Sequence, residues 1–86
     1  MSAENETRVA LIGIIVQNPD SVEELNQLLH AHRSAIIGRM GMPHREKNLS
    51  VISIVLDAPI DEVSALAGKI GMLDGVSSKT IFPKMD

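Results

Sequence analysis

From residue 7 to residue 16, apolar side chains occupy both alternating sets of positions: Val9, Leu11, Gly13 and Ile15 on one, Ala10, Ile12, Ile14 and Val16 on the other. β-branched residues dominate, so the segment reads as a strand. A strand apolar on both sides belongs at the centre of a sheet, with cover on each face. Gly13 breaks one face, the mark of a close approach by another group. The period then changes. Val22, Leu25, Leu28 and Leu29 recur at helical spacing through Ala31, with His32 extending the stripe and Glu23, Glu24, Asn26 and Gln27 on the other side. The turn before this helix, Asn18-Pro19-Asp20-Ser21, offers Ser21 with Glu24 as a capping box and Asp20 with Glu23 as a competing register.

Two further extended runs follow. Residues 35–42 form the second strand, which Pro43 closes because it cannot donate to a ladder. Polar residues 44–48 make a turn. Residues 49–56 are again apolar on both alternating sets, a third strand. Asp57-Ala58-Pro59 ends it, with Pro59 suited to the first position of a second helix and Asp61 and Glu62 suited to its positive end. Val63, Leu66, Ala67 and Ile70 give that helix one apolar stripe, and Gly71 and Gly75 bracket its exit. Residues 76–82 are a more polar, edge-type strand stopped by Pro83.

The order is β-α-β-β-α-β. Right-handed crossovers and one central hairpin make this a ferredoxin-like α+β sandwich, an antiparallel sheet with both helices on one face. Residues 7–83 form the single domain, and residues 1–6 a polar, disordered tail. One consequence is unusual. The sheet face without helices should alternate polar and apolar, yet strands 1 and 3 keep it apolar. Covering ~500 Å² of it would be worth roughly 12 kcal/mol before association costs. We therefore expect a homo-oligomer, dimer or tetramer, whose second subunit covers this face or whose sheets pair edge to edge.

Composition narrows the chemistry. At 86 residues the core is thin. The absence of cysteine removes disulfides, thiolate metal sites and a cysteine nucleophile together. Phe82 is the one aromatic and the net charge is −3, which argues against direct nucleic-acid binding. The acidic start is unlike a signal peptide, and the longest apolar run, residues 9–16, is too short to span a bilayer, so a cytoplasmic protein without membrane contact is expected.

The most distinctive surface is residues 38–50, which hold Arg39, Arg45 and Lys47 of the eight basic residues, with His44 and Asn48. Arg39, His44, Arg45 and Asn48 are the candidate contacts for a small anionic ligand. Arg39 stands out because it interrupts a strand among apolar neighbours and needs a partner. The alternative is a salt bridge to Glu46 or to an acidic residue of the first helix. His30, His32 and His44 are the only imidazoles. A histidine near a helix C-terminus is a favourable electrostatic cap, which is the reading taken for His30 and His32; no metal is assigned, and His30, His32 and a subunit-interface His44 are the alternative metal candidates. Gly68-Lys69-Ile70-Gly71 lacks the glycine-rich run and the hydroxyl residue of a phosphate loop and reads as close packing at Gly68 with helix termination at Gly71. No serine has an evident histidine–acid partnership and no carboxylate pair is spaced for acid–base work, so no catalytic role is expected.

Four segments carry a family resemblance: Asn26 to His30; Ile37 to Pro43; Arg45 to Asn48 with Ser50-Val51-Ile52; and Leu66 to Gly71 with Gly75-Val76. Together they resemble the iron-only hydrogenase system putative regulator family, and Arg39, Gly41, Pro43 and Asn48 are the most specific part. The resemblance implies a small domain similar to ACT domains and to the C-terminal sensing domain of nickel-responsive regulators. Such relatives are oligomers that bind a small ligand or metal between subunits. The nickel sensors use a cysteine with histidines, which this chain cannot supply. No DNA-binding segment is legible, so any regulation of transcription would run through a partner, or this chain would be the sensing half only. The expected function is a ligand-sensing oligomeric domain of unknown cofactor, with a constitutive interaction or assembly module as the alternative.

Overall fold

Alternation along the first strand decides which side of the sheet becomes the core. In the computed structural model, which describes residues 6–84, β1 (Arg8–Val16) buries Ala10, Ile12, Ile14 and Val16 and leaves Val9, Leu11 and Ile15 in the open. The chain continues through a 3-10 turn (Pro19–Ser21), α1 (Val22–Ala31), β2 (Ile36–His44), a second 3-10 turn (Arg45–Lys47), β3 (Leu49–Ala58), α2 (Ile60–Gly71) and β4 (Val76–Ile81). The sheet order is β2-β3-β1-β4, with every neighbouring pair antiparallel. This is the ferredoxin-like α+β arrangement. The expected tail at residues 1–6 lies, but for Glu6, outside the described residues.

Both helices present one apolar stripe to the same sheet face. Leu25 and Leu29 of α1, and Val63, Leu66 and Ile70 of α2, meet the buried sets of β1 and β3 (Ile52, Ile54, Leu56, Ala58) and Val76 of β4. β1 is central, as its doubly apolar pattern requires. Its second cover is not supplied by any of the described residues, which leave the opposite face bare.

Several boundaries differ from those the sequence suggests. Pro43 does not close β2; it pairs with Ser50, and the strand runs one residue further, to His44. β2 is an edge strand, whose outward N–H groups have no ladder partner, so a proline there can cost no bond. β3 runs on to Ala58, and Pro59 (φ −55°, ψ 148°) is extended and precedes the helix instead of opening it. Ser21 does not make a capping box. Its hydroxyl donates to the Asp74 carbonyl at 2.6 Å. Asn18 caps instead, accepting from the Asp20 N–H at 3.0 Å, while Asp20 itself lies within the 3-10 turn. Gly68 lies on the exposed side of α2 and a Cβ there would touch nothing within 4 Å, so it is not a packing glycine; Gly71 does end the helix.

Candidate functional site

The hairpin end of the sheet is where three chain segments converge. β1 finishes at Val16, opposite Ser50 of β3, which in turn pairs with Pro43 of β2. The 3-10 turn beginning at Pro19 lies beside them. Between these elements is an open hollow of about 140 Å³ lined by Val16, Pro19, Pro43, His44, Arg45, Asn48, Leu49 and Ser50. Asn48 shapes it. Its φ of 55° is left-handed, a conformation asparagine tolerates better than most residues, and its N–H donates to the Arg45 carbonyl at 3.1 Å to close the turn. The walls are apolar at Val16, Pro19, Pro43 and Leu49 and polar at His44, Arg45, Asn48 and Ser50. Among the described residues, no hydrogen bond or ion pair engages the His44 or Arg45 side chain.

Three of the four residues singled out in the sequence, His44, Arg45 and Asn48, therefore share one hollow. Arg39 does not line it. It pairs with Ile54, so it lies on the helix side of the edge strand, and its Nη2 donates to Asn26 Oδ1 of α1 at 2.8 Å. Its partner is a neutral amide of the first helix, neither Glu46 nor a helix carboxylate. The bond is exposed, so Arg39→Ala is expected to change the unfolding free energy by about 0.5 kcal/mol or less, measured by urea denaturation.

The histidines are not brought together. His30 and His32 lie at the far end of α1 from the hairpin. His30 is exposed, and its carbonyl accepts from Arg33 Nη1 at 3.0 Å. His32 is half-buried, with Nδ1 3.1 Å from Glu62 Oε2, so it ties the end of α1 to the start of α2. Among the described residues, no three metal-type side chains form a cluster. No helix among them is long and apolar enough to cross a membrane.

The hollows not singled out from the sequence include two larger ones. One lies between the outer ends of the helices and is lined by Leu28, Lys69, Met72 and Leu73 among others. The other, about 350 Å³, is on the bare sheet face around Gly13, Ile15, Val51, Ser77 and Lys79. The signal for the second was present in the doubly apolar strands and in Gly13.

The fold and the hairpin end define a small ferredoxin-like domain with a polar-edged surface hollow. The chain belongs to the TM1266-like family, described as "Iron-only hydrogenase system regulator, putative", which matches residues 8–80. It is similar to the solved structure of the uncharacterized protein TM1266 from Thermotoga maritima, with 36% identity, a TM-score of 0.88, and coverage of 92% of this chain and all of that one. The C-terminal domain of the Mycobacterium tuberculosis MgtC protein shares the fold at 12% identity and a TM-score of 0.67, over 92% of this chain and 90% of that one. So does part of a formyltetrahydrofolate deformylase from Pseudomonas putida KT2440, at 12% identity and a TM-score of 0.64, over 87% of this chain and 29% of that one. No curated protein matches the chain. The family description is that of a regulator and not of an enzyme.

Proposed function

We propose that this chain is a ligand-sensing regulatory domain of the iron-only hydrogenase system, active as a homo-oligomer and passing its signal to a protein partner. The observation that carries the ligand site is the convergence of His44, Arg45 and Asn48, with Ser50, on one hollow whose other walls are apolar. A guanidinium with no partner among the described residues, beside apolar walls, suits a small carboxylate: the anion on Arg45 and His44, the carbon skeleton against Pro43 and Leu49. Sensing requires that the ligand bind one assembly or docking state more tightly than another. The hairpin can provide this because the same β2–β3 unit that bears the hollow also forms half of the bare sheet face. Acidic net charge and a single aromatic fit regulation through a protein in the cytoplasm better than direct contact with nucleic acid.

Thermal unfolding with acetate, malonate, succinate, free amino acids and inorganic phosphate as probes tests this. A ligand at ten times its Kd stabilises by about 1.4 kcal/mol, or about 6–11 °C in Tm for a domain of this size. Arg45→Ala should abolish that shift, and Arg39→Ala should leave it. The size of the bare apolar face favours the second reading, a constitutive assembly module. If no probe raises the Tm of the wild type, that reading replaces the first.

A further inference from the structure

The bare face can be laid out row by row from the strand register. One row runs Met40 (β2), Ser53 (β3), Gly13 (β1), Lys79 (β4); the next toward the hairpin runs Met42, Val51, Ile15, Ser77; the next away from it runs Gly38, Val55, Leu11, Ile81. Leu11, Ile15, Val51, Ile81, Met42 and Met40 here range from 37% to 71% exposed, with Val55 half-buried between them. Together they present on the order of 700 Å² of apolar surface, above the ordinary patch on a monomer and close to the ~800 Å² that each partner contributes to a standard interface.

Two glycines interrupt this face, and among the described residues nothing crowds either of them, although Gly38 also adjoins an irregularity of the ladder between Ile36 and Gly38. A Cβ at Gly13 or at Gly38 would meet nothing within 4 Å. Glycine within a strand costs roughly 0.5–1 kcal/mol relative to alanine. Gly13 is in the middle of the central strand, where a β-branched residue would be more stable. Both glycines are explained at once by a single symmetry operation. Place a two-fold axis over Ser53, within about 15° of the strand direction, and β2 of one copy lies over β1 of the other. Met40 then faces Gly13, Leu11 faces Gly38, Met42 faces Ile15, and Val51 and Val55 face their own copies. Each glycine opposes a large side chain from the same row. Ser53, small, lies on the axis.

We propose that a second copy of this chain packs sheet-on-sheet against the bare face about this axis, with Met40 of each copy seated in the hollow at Gly13 of the other. The interface is isologous, as a closed dimer requires. Aligned sheet packing, at ~30° between strand directions, keeps the row correspondence near the axis, where the two glycines lie. This assignment rests on the oligomeric part of the function proposed above and specifies the face that carries it.

Sedimentation equilibrium on the full chain tests it. The wild type is expected to be dimeric at micromolar concentration. Gly13→Val fills the hollow that receives Met40 and should weaken the dimer at least tenfold, while circular dichroism shows an unchanged or more stable fold. Val51→Lys places a charge on the two-fold contact and should leave a folded monomer; it keeps the test decisive should Gly13→Val misfold. Met72→Ser, on an exposed residue of the opposite side, should dimerise as the wild type does. A wild type that stays monomeric at roughly 100 µM, far above a micromolar Kd, overturns both this assignment and the oligomeric reading. A wild-type dimer whose Kd is unaltered by both Gly13→Val and Val51→Lys overturns this face alone and leaves pairing through the β2 or β4 edge.

Discussion

Leu66→Ala should cost about 3 kcal/mol of stability, enough to unfold a large fraction of the protein under mild denaturant. Leu66 is fully buried at the middle of α2, within the cluster formed by Ile12, Ile54, Leu56 and Val63. Truncation removes three carbons from contact and leaves a cavity that the rigid sheet beneath cannot fill, and such changes cost 2–5 kcal/mol. A domain of this length has a total stability of about 4–13 kcal/mol, so the loss is a substantial share. Chemical denaturation at one fixed protein concentration is the appropriate measurement, because dimer formation would add a concentration-dependent term to any comparison. Leu66→Met keeps the volume and should cost less than about 1.5 kcal/mol. Equal losses for both variants would show that side-chain shape and not the cavity controls the site.

Gly75→Ala should cost about 2–4 kcal/mol, although it adds a single methyl group at an exposed loop. Gly75 has φ of 69°, and a Cβ there would lie 2.7 Å from Asn18 Cβ and 3.0 Å from the Asn18 backbone nitrogen. The left-handed conformation penalises any side chain, and the clash adds to that penalty. The backbone cannot retreat cheaply. The Gly75 carbonyl accepts from the Gln17 N–H at 2.7 Å, and the adjacent Asp74 holds Asn18 Nδ2 at 2.7 Å and the Ser21 hydroxyl at 2.6 Å. This junction ties the loop before β4 to the start of α1, so its loss should lower the Tm by well over 8 °C. A change under about 0.5 kcal/mol would show that the loop relocates freely.

Much of the architecture was legible because burial writes itself into the local period. Alternation at Ala10, Ile12, Ile14 and Val16 and the stripe at Val63, Leu66 and Ile70 are each set by one element facing one core. Boundaries were less legible. The capping role passed from Ser21 to Asn18 because Ser21 found a partner 53 residues away, at Asp74. Pro43 continued a strand because β2 is at the edge, a fact about its neighbours and not about its own residues. Of the candidate site, the turn residues His44, Arg45 and Asn48 could be grouped because they are nearly consecutive. Arg39 could not be separated from them in the same way: strand direction turns it to the helix side, onto Asn26.

By itself the sequence determined the element order, the ferredoxin-like topology and the presence of a second apolar face, since each follows from the spacing of side chains along one segment. The tertiary structure alone decided the junction at Asn18, Asp74 and Gly75, the hollow between Val16, Pro19 and the hairpin, and the row that sets Met40 level with Gly13. Those depend on the register between strands and on where a loop lands. Residues far apart in the chain meet there, and no local period records the meeting.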